Sequence, residues 1–402
     1  MIPSPAFAFA IFLVALTTAS VLLRIFARSA NTTHVTPVVR YRSIDGLRGF
    51  LAVGVFSHHC VVTWYYLQNG RWELPPSRFY VHLGQSSVVL FFMVTAFLFW
   101  GQILDRRENM DWVGFCVSRF FRLAPLYWTL CILLIVIALM ANGWQLAVPL
   151  NEFIHSVMHW LAFKFFQSPD INAFPNTNLI VAQVVWSLRY EWLFYLALPL
   201  LALLAGYRQS VFVSLSAAAV LLICLKLSGW KLDFSPIILT AFVGGMLSAY
   251  WVRMPKLEKI ACSPGFGIAA VAALILVVYS QASAYSMIAY VGLTIFFVAV
   301  ASGNSLRGLL HMAAARWLGE ISYSLYLLHG FLLWLLFQKL GIHRVSPDHQ
   351  ELVFMWASLV ACALLVACCS VTFISIEKPG ILLGSKVRQW ISHQRNLENV
   401  TV

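Results

Sequence analysis

The sequence of 402 residues is poor in charge, and acidic residues are especially scarce, with 15 Asp and Glu against 27 Lys and Arg. Charged residues make up 10% of the chain, whereas hydrophobic residues make up 61%. Soluble globular domains are about a quarter charged and about half apolar. The composition therefore excludes an ordinary cytosolic enzyme, a disordered protein and a small secreted disulfide scaffold, and it indicates a polytopic membrane protein.

Sequence motifs of several soluble enzyme classes are missing as well. The chain has no Walker A motif, no G-x-G-x-x-G motif and no G-x-S-x-G elbow. Its eight cysteines form no C-x-x-C pair and lie mostly in apolar runs, so we expect neither a zinc site nor a disulfide framework. Glu152, His155 and His159 have E-x-x-H-x-x-x-H spacing, in which the two histidines could ligate a metal, but no third strong ligand is obvious. A polar helix face gives the same pattern, and we predict no metal cofactor.

Long apolar runs take the place of these motifs. About 17–25 apolar residues suffice for one membrane-spanning helix. The runs lie at 6–23, 44–67, 81–104, 120–140, 184–205, 210–228, 235–252, 264–280, 285–302, 319–339 and 351–376. We therefore predict an all-α, polytopic transmembrane helix bundle with about eleven spans.

The basic residues predict the orientation of these spans. With the N-terminus outside, eighteen Lys and Arg fall in inside segments and six fall in outside segments. This positive-inside bias predicts an outside N-terminus and a cytoplasmic C-terminus. It also accounts for most of the net charge of +12, so no nucleic-acid partner is expected. Because Arg24 and Arg28 follow the first run and no basic residue precedes it, we interpret that run as an anchor.

Ionisable residues inside a span are costly and therefore indicate function. Arg48 and His59 lie eleven positions apart in the second span, which places them on one helix face, about 16 Å apart along the axis. Asp45, one turn before Arg48, can pair with it. In the alternative interpretation, Arg48 reaches the inner headgroups and His59 is a packing histidine.

Glu191 lies about seven residues in from the outer end of the fifth predicted span, at a depth similar to that of His59. A carboxylate beside a histidine fixes its tautomer and raises its basicity, so the two residues form a candidate catalytic pair. Pairing of Glu191 with Arg189 or with another helix is the alternative.

Three further sets of residues are candidates for binding. Arg119 and Arg122, one helical turn apart at the inner end of the fourth span, can bind phosphate through their guanidinium groups, although basic residues there also anchor a helix. Tyr323 and His329 belong to a polar stripe of the tenth span. Trp186, among other aromatic residues of the outer side, can stack on a sugar ring or belong to an interfacial belt.

Together these motifs resemble acyltransferase family 3, the integral-membrane acyltransferases that modify bacterial surface glycans. The strongest match is D-G-L-R-G at 45–49, followed by the R-x10-H spacing of Arg48 and His59. The other matches, in order, are F-F-M-V-T-A-F-L-F, S-R-F-F-R-L-A-P-L-Y-W, W-S-L-R-Y-E-W-L-F-Y, L-G-E-I-S-Y-S-L-Y-L-L-H and I-E-K-P. The chain departs from the family pattern at Thr95-Ala96, where Ser-Gly is usual, and in its extra first span.

The resemblance implies a ten-span core at residues 41–380, preceded by an anchor and cytoplasmic linker at 1–40 and followed by a cytoplasmic tail at 381–402. It also implies an enzyme of the bacterial inner membrane, which moves an acyl group, short in this family, from cytoplasmic acyl-CoA to a hydroxyl. The acceptor would be a surface polysaccharide or lipid-linked glycan, such as a lipopolysaccharide O-antigen, on the extracytoplasmic side. A separate periplasmic acyltransferase is a possible partner, since no further domain follows the last span.

The resemblance gives the candidate residues their roles. Arg48, Arg119 and Arg122 would hold acetyl-CoA. His59 would act as general base or as an acyl carrier, and Glu191 would orient it or bind the acceptor. The acceptor-binding candidates are Tyr323, His329 and Trp186. A transporter or flippase of a lipid-linked glycan is the alternative function, and a membrane scaffold is a third, which leaves the Arg48–His59 face unexplained.

Overall fold

The computed structural model describes residues 3–29, 41–106, 110–163, 165, 169–204 and 235–400. All regular secondary structure within these ranges is helical, which confirms the predicted all-α class. In chain order the helices are α1 (Pro5–Ser29), α2 (Arg42–Asn69), α3 (Arg78–Arg106), α4 (Trp112–Ala141), α5 (Leu150–Leu161), α6 (Thr177–Ile180), α7 (Trp186–Leu204), α8 (Pro236–Trp251), α9 (Pro255–Ala261), α10 (Pro264–Ser280), α11 (Met287–Ala301), α12 (Ala313–Glu320), α13 (Ser322–Leu333), α14 (Gln350–Thr372) and α15 (Lys378–Val400).

Short irregular helices complete the described chain. A π-helical turn at Trp334–Lys339 extends α13, and a second at Phe373–Glu377 joins α14 to α15. The 3-10 turns are Ile171–Ala173, Leu309–His311, Ile342–Arg344 and Pro347–His349.

Length and apolarity identify the membrane-spanning helices among the described residues. Six are long and apolar enough, namely Pro5–Phe26, Arg42–Asn69, Arg78–Arg106, Trp112–Ala141, Ser322–Arg344 and Gln350–Gln394. A pair bent by 113°, Ile237–Trp251 with Pro255–Ala261, raises the count to seven if it is one broken span. The protein is thus a multi-pass helical membrane protein.

The predicted spans agree with these helices in position. Every predicted span except 210–228 overlies a described helix, and 210–228 lies outside the described residues, as does most of the linker before residue 41. Helices α10 and α11 are apolar but shorter than the six, with 17 and 15 residues. The count of eleven therefore stays a prediction.

The chain forms two compact units. The first comprises Met1–Gly101 with Phe234–Cys369, and the second comprises Gln102–Asp233 with Ser370–Val402.

The core of the first unit is built around α2, which packs closely against α12. The glycines of the D-G-L-R-G motif permit this approach. A Cβ on Gly46 would overlap the backbone of Leu310, and a Cβ on Gly49 would overlap the backbone of Ala315. From the other side, a Cβ on Gly319 would overlap the backbone of Asp45. Since only glycine leaves this space, the motif fixes the position of the helix that carries both Arg48 and His59.

In the second unit, α4 packs along α15. A Cβ on Gly380 would lie 2.7 Å from the ring of Pro125, and a Cβ on Gly384 would lie 2.7 Å from the side chain of Phe121. Farther along α4, the Tyr127 hydroxyl donates a hydrogen bond of 2.6 Å to the carbonyl of Trp160. The amphipathic helix α5 is thereby held against α4.

Candidate active site

Three histidines meet in the first unit, and His59 is at their centre. His59 is partly buried, whereas His58 is 6% exposed and His329 is fully buried. The ring centroids of His59 and His329 are 4.8 Å apart, and so are those of His59 and His58. Histidine in the apolar part of a helix bundle costs desolvation energy, so a cluster of three is a candidate for chemistry.

The hydrogen bonds around His59 fix the position of its proton. Nδ1 of His59 lies 3.0 Å from the carbonyl oxygen of Val55 and 3.1 Å from Nε2 of His329. Nδ1 of His329 lies 3.0 Å from the carbonyl oxygen of Leu325. Because a carbonyl only accepts hydrogen bonds, we assign the proton of each neutral ring to Nδ1.

This assignment makes the network consistent. His329 then presents the lone pair of Nε2 to His59, whose Nδ1–H is shared between that lone pair and Val55. Nε2 of His59 keeps its own lone pair and has no hydrogen-bond partner among the described residues. A nitrogen of this kind can accept a proton or attack a carbonyl carbon.

Aromatic rings surround the pair. Trp72 is stacked near His59 at 6.3 Å with an interplanar angle of 21°, and Tyr66 meets Trp72 edge to face at 5.5 Å. Tyr326 lies edge to face with His329 at 6.2 Å. Tyr323, the predicted acceptor-binding residue, is partly exposed and lies one turn before Tyr326 on α13.

Arg48 lies on the same continuous helix as His59, as the sequence predicts. Its side chain is 25% exposed, and NH1 lies 4.0 Å from a carboxylate oxygen of Asp45, which confirms the predicted i, i+3 pair. The helical rise places Arg48 about 16 Å from His59 along the axis. Helix α2 thus carries a cationic side chain near its N-terminal end and a histidine with a basic nitrogen farther along its length.

In the second unit, Glu191 and Arg119 share one partner. The Tyr195 hydroxyl donates a hydrogen bond to Oε1 of Glu191. The Arg119 side chain hydrogen-bonds to Tyr195 and interacts electrostatically with Glu191. Arg119 comes from α4 and the other two from α7, so this cluster links a predicted phosphate-binding cation to the predicted catalytic carboxylate.

Arg122 forms a buried ion pair in the same unit. Its NH1 contacts Oε2 of Glu377, with side-chain exposures of 16% for Arg122 and 0% for Glu377. The guanidinium also lies 6.0 Å from the centroid of the Phe373 ring. Glu377 belongs to the I-E-K-P motif, so the ion pair gives the acidic residue of that motif a cationic partner. Trp186, at the start of α7, packs edge to face on Tyr190 at 5.6 Å.

The family model for the acyltransferase domain of acyltransferase family 3 matches residues 41–374. The chain belongs to this acyltransferase family. It is therefore an enzyme that transfers acyl groups. Neither a curated protein nor a solved structure matches the chain.

The structure of this acyltransferase brings some of the predicted residues together. His59 and His329, predicted in different roles, are hydrogen-bonded neighbours. Arg119 and Glu191, both of the second unit, share Tyr195. The roles assigned to all eight candidates stay predictions.

The sequence interpretation missed three residues of these clusters. His58 directly precedes His59 in the sequence. It points about 80° away from the helix face that carries Arg48 and His59, so the sequence interpretation assigned it no role. Tyr195 lies one turn after Glu191, a spacing that could have indicated their hydrogen bond. Glu377 is the acidic residue of the I-E-K-P motif. The only signal for its role in the sequence is that a carboxylate at the end of an apolar run needs a cationic partner.

Proposed function

We propose that the protein is an O-acyltransferase of a bacterial inner membrane that moves an acetyl group from cytoplasmic acetyl-CoA to a hydroxyl of an extracytoplasmic glycan. The acceptor would be a surface polysaccharide or a lipid-linked glycan, such as a lipopolysaccharide O-antigen. The observation that supports this assignment is His59, whose proton is held on Nδ1 while Nε2 keeps a lone pair, within the region matched by the acyltransferase family.

In the proposed reaction, Nε2 of His59 removes the proton of the acceptor hydroxyl as the hydroxyl oxygen attacks the thioester carbon. The new carbon–oxygen bond forms and the carbon–sulfur bond breaks. The proton on Nε2 then passes to the departing CoA sulfur, which leaves as the thiol. Each turnover thus begins and ends with neutral His59.

His329 takes a different role from the one that the sequence favours. Because it is fully buried and accepts the Nδ1–H of His59, we propose that it orients His59 instead of binding the acceptor. A hydrogen bond to Nδ1 fixes both the tautomer and the ring orientation of a catalytic histidine. Tyr323 and Trp186 stay candidates for acceptor binding.

Cations at the inner ends of the helices would bind the phosphates of the donor. Arg48 is the candidate of the first unit, and its side chain is 25% exposed. Arg119 and Arg122 are the candidates of the second unit, where Glu191 and Glu377 already balance part of their charge. Guanidinium groups bind phosphate through paired hydrogen bonds, which is the reason for expecting Arg at this position.

The proposed topology completes the assignment. Eleven spans, of which ten form the family core, would place the N-terminus outside and the C-terminus in the cytoplasm. Donor and acceptor would then approach from opposite sides of the membrane. A separate periplasmic acyltransferase could take over the acyl group if the glycan is modified beyond reach of the membrane.

The proposal is tested with protein purified in detergent, by measuring acetyl-CoA binding and, with glycan extracted from the source cells added as acceptor, CoA release. We expect wild type and the control His349→Ala, which changes an exposed surface histidine, to bind acetyl-CoA and turn it over. We expect His59→Ala to bind acetyl-CoA but to lose turnover by about 100-fold or more. Turnover at the wild-type rate in His59→Ala would overturn the proposed mechanism, and absence of binding to any acyl-CoA would overturn the proposed donor.

A further inference from the structure

His58 is held as firmly as His59, yet the proposed reaction does not use it. Its Nδ1–H donates a hydrogen bond of 2.8 Å to the backbone carbonyl of Tyr80 on α3. Its ring meets that of His59 edge to face, with centroids 4.8 Å apart and planes at 82°. The two rings therefore meet edge to face, and the ring of His58 limits where the ring of His59 can lie.

The backbone of α3 leaves a space for the His58 ring. Gly84 lies beside that ring, and a Cβ at this position would come within 3 Å of three of its atoms. A side chain at position 84 would force the ring to move, because such contacts are far shorter than van der Waals distance. Gly84 and the Tyr80 carbonyl thus fix where the ring of His58 can lie.

Tyr80 in turn is held by α1, the helix that precedes the matched family region. Tyr80 is fully buried, and its hydroxyl donates a hydrogen bond of 2.8 Å to the backbone carbonyl of Ser4. Helix α1 packs on the first unit through Phe7, Ile11 and Ala15, each at most 2% exposed. A continuous series of contacts therefore runs from α1 through Tyr80 and His58 to His59.

We propose that His58 is a positioning residue for His59 and that α1 supports it through Tyr80. This inference rests on the proposed function of His59. The first helix is then part of the catalytic apparatus in addition to being an anchor. Positioning matters because a displacement of about 1 Å at a reacting group can cost about 100-fold in rate.

The test measures labelled acetyl transfer from acetyl-CoA in membranes of the source cells, which contain the native acceptor and lack the chromosomal copy of the protein. The variants are His58→Ala, His58→Asn, Gly84→Ala and Tyr80→Phe. Gly265→Ala is the matched glycine control, because a Cβ at Gly265 meets nothing within 4 Å. Rates are expressed per amount of protein that elutes as a folded species, so loss of folded protein does not count as loss of activity.

We expect His58→Ala and Gly84→Ala to lower kcat about 10- to 100-fold, with KM for acetyl-CoA changed less than about twofold. Asn carries an amide nitrogen where His58 has Nδ1, so His58→Asn should keep the bond to Tyr80 and recover part of kcat. Tyr80→Phe should lower kcat by about 2- to 10-fold, the factor of one neutral hydrogen bond. Gly265→Ala should match wild type.

Wild-type kcat in the folded fraction of both His58→Ala and Gly84→Ala would overturn the inference. So would a loss in His58→Ala that appears in KM alone or that His58→Asn does not relieve. His59→Ala separates the two claims. If it is inactive while the His58 variants are normal, only the positioning role fails, whereas transfer by His59→Ala at the wild-type rate would overturn the proposed catalytic role of His59 as well.

Discussion

Nε2 of His329 lies 3.1 Å from Nδ1 of His59, although 270 positions separate the two residues in the chain. The hydrogen bond joins the fully buried His329 to the partly buried His59. The ring of His329 accepts the bond, and the ring of His59 keeps a basic nitrogen for chemistry. The contribution of this hydrogen bond to catalysis can be measured by replacing His329, which accepts the bond, while leaving His59 unchanged.

We expect His329→Ala to lower kcat about 10- to 100-fold, because His59 loses one of the two acceptors that hold its proton on Nδ1. His329→Gln offers a carbonyl oxygen close to the position of Nε2 and should recover part of that loss. The measurement is kcat and KM for acetyl-CoA in each folded variant. If His329→Ala and wild type have the same kcat, then the hydrogen bond is not part of the mechanism.

The Arg122–Glu377 pair predicts a stability effect that must be separated from donor binding. Removing Arg122 leaves the carboxylate of the fully buried Glu377 without this counterion, so we expect Arg122→Ala to destabilise the protein by about 3–5 kcal/mol. Replacing both residues, as in Arg122→Met with Glu377→Leu, should restore most of that stability. Thermal unfolding in detergent measures both effects.

The double variant then reports on donor binding without the penalty of a buried charge. If Arg122 binds the phosphates of acetyl-CoA, the stable double variant binds the donor more weakly than wild type. Unchanged donor affinity would limit Arg122 to a structural role. A double variant as unstable as Arg122→Ala would instead contradict the ion-pair account of stability.

The glycines of the D-G-L-R-G motif should be intolerant of side chains. We expect Gly46→Ala to destabilise the protein by about 1–3 kcal/mol, because the added Cβ overlaps the backbone of Leu310 and the helices must separate. Gly265→Ala, which adds the same atom in open space, is the control for the unfolding measurement. Equal unfolding temperatures for the two variants would show that α2 has room to shift.

Exchange of labelled CoA distinguishes the two chemical roles open to His59. If His59 acts as general base, acyl transfer needs the acceptor, and free labelled CoA does not enter acetyl-CoA in its absence. An acyl-histidine intermediate would form before the acceptor binds, and it would return its acetyl group to labelled CoA. We expect no exchange in acceptor-free detergent solution, and exchange that His59→Ala abolishes would establish the covalent route.

The cluster of Glu191, Tyr195 and Arg119 predicts a graded effect of charge. Glu191→Gln keeps an oxygen that can accept the hydrogen bond of Tyr195 but removes the negative charge beside Arg119. If Glu191 takes part in transfer through its charge, this variant should lose about 10-fold or more in kcat while the folded protein is retained. A purely structural Glu191 would instead give normal kcat and a lower unfolding temperature.

The features that the sequence predicted correctly lie within single helices. Periodicity placed Arg48 and His59 on one face, and the structure has both on the continuous helix α2. The positions of the helices followed from apolar runs for the same reason, since a spanning helix satisfies its backbone hydrogen bonds within itself. The Arg48–Asp45 pair, local to one turn, was predicted correctly as well.

Contacts between helices could not be predicted from the sequence. His329 contacts His59 because α13 lies beside α2 in the folded chain. Glu377 contacts Arg122 because the turn after α14 lies beside α4. Depth along a span suggested Glu191 as the partner of His59, and this pairing stays a prediction because depth alone does not show which helices are adjacent. The role of His58 was hidden for a related reason, because its support comes from the backbone of another helix.

The central claim is that His59 removes the acceptor proton during acetyl transfer, and the most direct measurement uses sealed inside-out membrane vesicles from the source cells. Labelled acetyl-CoA is added to the exposed cytoplasmic face, and label is counted in the glycan and lipid fractions enclosed in the lumen. We expect wild type and His349→Ala to transfer label, and we expect His59→Ala, present in equal folded amount, to transfer at least about 100-fold less. Label in the lumen at the wild-type rate with His59→Ala would contradict this role of His59.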